Sequence, residues 1–522
     1  MKYDWLESAV FYQIYPTSFY DSNGDGIGDI RGIIEKLPYI KGLGINAIWL
    51  NPCFRSAFGD GGYDIVDYYT VDEHFGTNED LIELFDTAKR LGIAILLDLV
   101  MGHTSIEHPA FKASQTDDKN EFSDMYIWRP GEEPFNNSDG RFLSGIAERP
   151  DMFMINYYAI QPAINYGFYK PRFAWQDKVD APAPTKNISR LIDVCVFWLN
   201  RGATGFRVDM AGQMVKGDYK ERGNIAFWNK VIPEIKAVFP DAIFVSEWFR
   251  PERSVVASSF DIDFFSEYFI YQVGSKKGPE FANKTCYLGE ESGHFKLALS
   301  RMLYTRKKVS RSGYYAVALG NHDKIRMSLG RDSDISKVTF AFHLLMPHVP
   351  FIYYGDEIGI PYTKLKSKHG GYRRTGSRTP MQWSTEKNRG FSTADEIYLP
   401  VSDTPGISVL EQESQDNSLL ETVRALIHLK RTYKCFRIDS ALKVLSTKNG
   451  GNPFIFKRVS DCDEAIVIIC PRAEANKISL KCVKQIDEYQ LLSSNFEIID
   501  NTHAQTTGKA FAVFYKKTER VH

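Results

Sequence analysis

The stretch Gly205-Phe206-Arg207-Val208-Asp209-Met210-Ala211, GFRVDMA, reads as a buried strand that carries two charges. Side chains alternate across a strand, so Arg207 and Asp209 project to one side while Phe206 and Val208 point to the other. Two readings fit: a structural ion pair at a strand end, or a carboxylate tuned for chemistry by an adjacent cation. The rest of the chain has to separate them.

Working outward, eight strand-length apolar runs can be placed, at 10–16, 45–52, 94–100, 205–209, 243–248, 260–265, 315–323 and 351–356, each followed by polar or glycine-rich residues. Between them lie segments with helical periodicity, such as Leu81, Leu84, Phe85, Ala88 and Leu91, or Ile188, Leu191, Ile192, Cys195 and Leu199. This rhythm predicts an α/β architecture with a parallel sheet, and eight strands predict a closed (β/α)8 TIM barrel. About a hundred residues rich in aromatics, Pro and Asn separate the third and fourth runs, too many for a plain connection. A domain B is expected to be inserted there. Beyond Arg431 the pattern changes to short strands such as EAIVIICP and AFAVFYKK, which predict a C-terminal antiparallel β domain, a β-sandwich. The expected division is 1–103 and 174–435 for the barrel, 104–173 for the insertion and 436–522 for the β domain.

The chain has 522 residues, 43% hydrophobic and 25% charged, with a formal net charge of −1. That balance argues against nucleic acid or an anionic membrane as partner and favours a neutral substrate. Seven scattered cysteines without CxxC spacing fit free thiols in a reducing compartment, and the N-terminus has no signal-peptide pattern, so a cytoplasmic location is expected. The longest apolar run, 338–354, is interrupted by His343, Pro347, His348 and Pro350 and does not read as a membrane span. A monomer or homodimer is expected.

Barrel chemistry sits at the C-terminal ends of strands. Acids concentrate there: Asp98 in the third run, Asp209 closing the fourth, Glu247 in VSEWFRP, Asp323 in GNHDKIR, and Asp356 with Glu357 after the eighth. A pair of carboxylates flanking a bond is the machinery of glycoside cleavage, and Asp209 and Glu247 come from adjacent strands. Arg207 is then expected to lower the pKa of Asp209 and keep it ionised as a nucleophile. Trp248 is expected to desolvate Glu247 and raise its pKa, as a proton donor requires.

These residues resemble those of the alpha-amylase family, glycoside hydrolase family 13. DLVMGH (98–103), GFRVDMA, SEW and GNHD resemble its four short segments, in the right order. The resemblance implies that Asp209 is the nucleophile, Glu247 the general acid/base and Asp323 the carboxylate that holds sugar hydroxyls, with Arg207, His103 and His322 binding the sugar. YQIYPTSFYDSNGDGIGDIRGI, GGYDIVDY and RTPMQWS resemble the oligosaccharide-acting branch, which includes oligo-1,6-glucosidases, alpha-glucosidases and trehalose synthases. By that likeness Tyr63 stacks on the terminal glucose while Asp64 and Arg378 grip its distal hydroxyls, closing an exo-acting pocket.

In DSNGDGIGD, Asp21, Asn23 and Asp25 hold positions 1, 3 and 5 of an EF-hand-like loop with Gly26 at 6, but position 12 is Gly32 rather than a bidentate Glu. The resemblance implies a structural divalent cation, calcium or magnesium, on Asp21, Asn23, Asp25, the Ile27 carbonyl and Asp29, and no organic cofactor.

Two departures stand out. Gly102 occupies the place where the family normally has Asn, a calcium ligand in many amylases, and Ala163 in QPAIN occupies the place of an acid. The basic run Lys364, Lys366, Lys368, His369, Arg373, Arg374 reads as a solvated or gating loop. Ala211 stands where oligo-1,6-glucosidase-like enzymes tend to carry Val. A small side chain there leaves room beside the scissile oxygen, so alpha-1,4 bonds are expected. The sequence thus implies a retaining hydrolase acting on small oligosaccharides or disaccharides. The alternative is an intramolecular glucosyl transferase resembling trehalose synthase or sucrose isomerase, which shares the covalent intermediate.

Overall fold

A computed structural model describes residues 3–133, 140–265, 286–288, 295–472, 476–483, 488–494, 497–500, 502–506 and 508–518. Eight parallel strands close into a barrel: β1 (Phe11–Ile14), β2 (Ala47–Leu50), β3 (Ala94–Leu99), β4 (Gly205–Val208), β5 (Ile243–Ser246), β6 (Ile262–Phe264), β7 (Tyr314–Ala318) and β8 (Val349–Tyr353). Each pairs with the next, and β8 returns to β1 with Phe11 opposite Phe351. Six of the eight are buried along their whole length, and β3 and β7 at all but one end residue, because a barrel strand has packed side chains on both faces.

The interior is layered by alternation. Phe11, Ala47, Trp49, Leu96, Ile243, Val245, Phe264, Ala316 and Phe351 fill it, whereas their neighbours Tyr12, Ile48, Phe206, Val208 and Phe244 pack outward under the helices. Strand β4 therefore turns Gly205, Arg207 and, just past its end, Asp209 inward. Gly205 has no alternative: a Cβ there would lie 2.0 Å from the Ile243 carbonyl oxygen.

The outer helices start where local signals place them. Thr77 caps α2 (Asn78–Arg90) in a reciprocal capping box with Asp80, and Leu81, Leu84, Phe85 and Ala88 form its buried face. Asp29 caps α1 (Ile30–Gly42) by accepting from the Gly32 N–H at 2.6 Å. Helix α3 (Pro182–Leu199) buries Ile188, Leu191, Cys195 and Leu199, with Ile192 half-buried.

Between β3 and β4 the insertion forms a three-stranded antiparallel sheet of Trp128–Arg129, Met152–Ile155 and Arg141–Leu143, with Met152–Ile155 in the middle. Phe111, Tyr126, Trp128 and Phe153 make its aromatic core. The C-terminal part contains a five-stranded and a three-stranded antiparallel sheet, with Ile455, Ile466, Ile468, Ile478 and Ala504 in one cluster drawn from both. The apolar run at 338–354 finds its place here. Its first part lies in helix α4 (Ser333–Leu345), which packs against the last barrel helix, Leu419–Thr432, and strands Asp463–Cys470 and Ala510–Lys517. Its second part is β8. Among the described residues no helix is long and apolar enough to cross a membrane.

The acids that follow β5, β7 and β8 sit differently from the sequence expectation. Strand β7 ends at Ala318, so Asp323 stands on the following loop. Asp356 and Glu357 open a 3-10 turn and are fully buried away from the mouth, where Glu357 accepts from Tyr12 Oη at 2.6 Å and Tyr39 Oη at 2.9 Å. Glu247 follows the end of β5, its N–H bonded to the Val208 carbonyl. Gly205→Ala is expected to cost more than about 3 kcal/mol, because backbone rather than a flexible side chain must yield; a denaturation midpoint close to wild type would contradict this.

Candidate active site

At the C-terminal ends of the strands lies a cavity of about 440 Å³. Its floor is organised by Arg207, which is 2% exposed. Nη1 lies 2.7 Å from Asp98 Oδ1 and 3.0 Å from Asp209 Oδ1, and Nη2 lies 2.7 Å from Glu247 Oε2. Asp98 comes from β3, directly opposite Arg207 in register, and its other oxygen accepts from Trp49 Nε1 at 3.0 Å and Tyr63 Oη at 2.7 Å. Arg207 is thus oriented from behind by a carboxylate that never reaches the cavity.

Asp209, Glu247, Asp323, Tyr63 and His103 line the cavity. Burial pushes the Asp209 carboxyl well above its ordinary range. Arg207 pulls it down, but Glu247, Asp98 and Asp323 add to the rise. Arg207 lowers Asp209 as expected, but the expectation that it holds the carboxyl down overall is corrected, because burial and the neighbouring carboxylates outweigh one guanidinium that is divided among three carboxylates. Glu247 Oε2 accepts both from Arg207 and from the Met210 N–H, the latter at 3.1 Å. The Trp248 indole donates to Glu221 at 3.2 Å and lies where a Cβ on Gly212 would meet it at 2.6 Å. The loop that carries Glu247 is pinned by buried Asp263 of β6, which accepts from the N–H groups of Trp248, Phe249 and Arg250; burial pushes its carboxyl up to about 7.

His322 and Tyr63 stack with ring centroids 5.1 Å apart at 6°. Gln13 Nε2 donates to His322 Nδ1 at 2.8 Å, which leaves Nε2 facing Asp323 Oδ2 at 3.3 Å. Burial opposes the ionisation of Asp323, yet His322, Arg374 and Arg378 around it hold the carboxyl well below the carboxylate range. Burial also keeps His322 neutral, so the two arginines carry the charge that acts on Asp323.

Two expected sugar-gripping residues are placed differently. Asp64 is fully buried off the wall and accepts from Ser56 Oγ and the N–H groups of Gly59 and Asp60. Its role is to shape the turn that presents Asp60, which does line the cavity. Arg378 is 2% exposed and lies beneath Asp323, at 3.3 Å, donating also to the His322 carbonyl. Arg374 holds the wall position instead. Its Nη1 lies 2.7 Å from Asp323 Oδ1, while Nη2 lies 2.7 Å from Asp60 Oδ1 and donates to Tyr158 Oη at 3.1 Å. The basic run thus contributes one residue that straps three loops together over the mouth.

Sequence reasoning also passed over Gln161, Tyr158, Glu221 and Phe249, all on the wall. Met210, Glu221 and Phe249 share a signal invisible in sequence: left-handed backbone at φ 44°, 59° and 60° without glycine. Ala211 is fully buried and does not line the cavity, though Met210 and Gly212 do, so the space argument for alpha-1,4 bonds lacks its geometric premise.

In the Asp21 loop every proposed side-chain donor is oxygen, as a hard cation requires. Those oxygens are taken up locally: Asp21 accepts from the N–H groups of Asn23, Gly24 and Gly26, Asp25 from that of Ile27, and Asp29 from Ser22 and Gly32. Among the described residues no three acidic, histidine or cysteine side chains converge as a metal site.

A profile of the alpha-amylase catalytic domain matches residues 13–439. The oligo-1,6-glucosidase of Parageobacillus thermoglucosidasius is 30% identical over 83% of this chain and 84% of its own. The trehalose synthase/amylase of Mycobacterium tuberculosis is 28% identical over 89% and 81%. Isomaltulose synthase from Klebsiella sp. LX3 superposes with a TM-score of 0.83 at 23% identity, covering 99% of this chain and all of that one, a likeness of fold.

Arg374→Met removes the charge shared by Asp60 and Asp323. The Asp323 carboxyl is then expected to titrate higher, followed by carbon-13 carboxyl NMR; an unchanged titration would mean that Arg378 alone sets it.

Proposed function

Because the chain belongs to the alpha-amylase family of glycoside hydrolases, we propose that its cavity cleaves alpha-glucosidic bonds of short neutral oligosaccharides by the retaining route. The observation that carries this reading is the sharing of one buried guanidinium by Asp209 and Glu247. Carboxylates held on the two nitrogens of a single fork are neighbours, which supports the ~5–5.5 Å spacing of a retaining pair over the wider gap an interposed water needs.

Asp209 attacks the anomeric carbon as Glu247 protonates the departing glycosidic oxygen, giving a glycosyl ester on Asp209. Glu247, now a carboxylate, takes a proton from water, and the hydroxide equivalent releases the sugar and regenerates Asp209. The first step requires the charge on Asp209 and the proton on Glu247, and Arg207 is the group that favours the charged form of Asp209 against its burial. Asp323, kept anionic by its arginines, accepts sugar hydroxyls, and Asp60 with Arg374 closes the far end of the pocket, consistent with exo action.

Among the described residues the wall carries Asp60, Asp209, Glu221, Glu247 and Asp323 against the single guanidinium of Arg374. That imbalance supports neutral over phosphorylated sugars. For linkage, the alpha-1,4 expectation gives way to alpha-1,6, because Ala211 is off the wall and relatives are named oligo-1,6-glucosidases. A second reading, transfer of the glucosyl unit within the pocket, is supported by the likeness to trehalose synthase/amylase. A structural calcium or magnesium on Asp21, Asn23, Asp25, the Ile27 carbonyl and Asp29 is also part of the proposal; it would fasten the loop leading into α1.

Asp209→Asn is expected to reduce turnover at least about 1,000-fold, while Glu247→Gln should spare an activated aryl glucoside far more than a disaccharide; equal losses on both would remove Glu247 from the acid role. Incubation with isomaltose, maltotriose, sucrose and trehalose, with products and anomers read by NMR, should show net alpha-glucose release fastest from isomaltose. Isomerised disaccharide as main product would favour transfer, and faster maltotriose cleavage would restore the alpha-1,4 expectation. Chelation should lower the melting temperature and added calcium or magnesium should restore it; an unchanged melting curve removes the cation.

A further inference from the structure

Gly102 leaves an opening beside His103, and a residue from the insertion fills it. A Cβ on Gly102 would lie 3.1 Å from Asn156 Nδ2. That same nitrogen is 3.0 Å from His103 Nδ1, and Asn156 Oδ1 accepts from Lys216 Nζ at 3.0 Å. Asn156 follows the central strand Met152–Ile155 of the inserted sheet, and its own N–H is tied to the Gln161 carbonyl at 2.9 Å.

The chemistry of the partners fixes every proton in this chain. His103 Nε2 lies 2.9 Å from the Tyr63 carbonyl, which only accepts, so Nε2 carries the hydrogen. A neutral imidazole then has a bare Nδ1 that needs a donor. At the other end the Lys216 ammonium only donates, so it faces the amide oxygen. Both partners independently demand the same orientation of the Asn156 amide, with Nδ2 toward His103. Burial holds His103 down to about 4, with the Lys216 charge adding to the effect, so the ring is neutral through the ordinary working range. Lys216 has no carboxylate partner among the described residues, and its remaining bond is to the Gln213 carbonyl at 2.8 Å. Position 163, where an acid could have faced this region, is a fully buried alanine bridged to His103 through backbone.

We propose that Asn156, anchored by Lys216, is a positioning residue of the site: it fixes the Nε2–H tautomer and the orientation of His103, from the space that a side chain at position 102 would otherwise occupy. The activity part of this inference rests on the cavity being the sugar site; the tautomer part does not. Asparagine suits the task because one amide both accepts from a cation and donates to an imidazole. Aspartate can only accept. It would pair with Lys216, yet turn an acceptor toward Nδ1 and drive a proton onto that nitrogen.

Asn156→Ala and Asn156→Asp are compared with wild type by nitrogen-15 NMR of histidine-labelled protein and by kinetics on the best alpha-glucoside. His103 is expected to show the Nε2–H tautomer in wild type, and to gain Nδ1 protonation in Asn156→Asp. kcat/KM is expected to fall about 10- to 100-fold in both variants, the range in which an orienting partner acts. Asn156→Asp should nevertheless keep or raise the melting temperature, since Lys216 acquires a counter-charge. Adding Gly102→Asn to Asn156→Ala should recover part of the lost activity. An unchanged His103 tautomer in Asn156→Asp, or activity within twofold of wild type in both variants, overturns the proposal. Wild-type protein inactive on every glucoside tested would sink the functional reading, while the NMR result would still decide the role of Asn156.

Discussion

The structure depends on a guanidinium enclosed in a closed barrel. Arg207 is 2% exposed, and withdrawing such a charge from water costs several kcal/mol unless every partner is in place. The barrel supplies partners for both terminal nitrogens from three consecutive strands: Asp98 from β3, Asp209 just after β4 and Glu247 just after β5. Strand register makes this work, because Asp98 and Val245 are the two in-register neighbours of Arg207. Asp98 anchors the cation and the other two carboxylates reach the cavity. The same arrangement locks Tyr63 through its bond to Asp98, and Tyr63 in turn carries the stacked His322. A single buried cation therefore sets the positions of the floor.

The mouth is built on a different principle. No strand end carries Asp60, Tyr158, Gln161 or Arg374; all lie on loops or on the insertion, and charged or polar bonds tie them to one another. Gln161 Nε2 donates to Asp60 at 2.9 Å, and Arg374 bridges Asp60 to Asp323 and Tyr158. The floor is rigid because sheet hydrogen bonds hold it. The rim is held by side chains of four separate chain segments, so its shape can differ among proteins that share the barrel.

This division explains what the sequence disclosed. GFRVDMA carries its geometry locally: alternation puts Arg207 and Asp209 on one face, and the helical faces of Leu81 to Ala88 and Ile188 to Leu199 follow from periodicity alone. Asp60 was hidden because Asp64, four residues on, looks equally able to bind a sugar; only the fold shows that Asp64 is spent on N–H groups of the turn. Arg374 was hidden in a basic run whose other members gave no reason to single it out. Asp356 and Glu357 misled, because a 3-10 turn carries both under the helices. Arg207 does pull Asp209 down as the pairwise reading expects, yet the net shift is upward, because burial first, and then Glu247, Asp98 and Asp323, outweigh it, and only the barrel brings these together.

The left-handed backbone at Met210, Glu221 and Phe249 bears on how this protein can change over time. Each such position costs on the order of 1–3 kcal/mol, and glycine would relieve it. Selection for heat resistance alone would thus reward glycine at these sites and erase the side chains on one wall of the cavity. Thermal robustness and the present pocket shape pull in opposite directions at these three positions, so their retention in a heat-adapted descendant would mark the pocket itself as the property under selection.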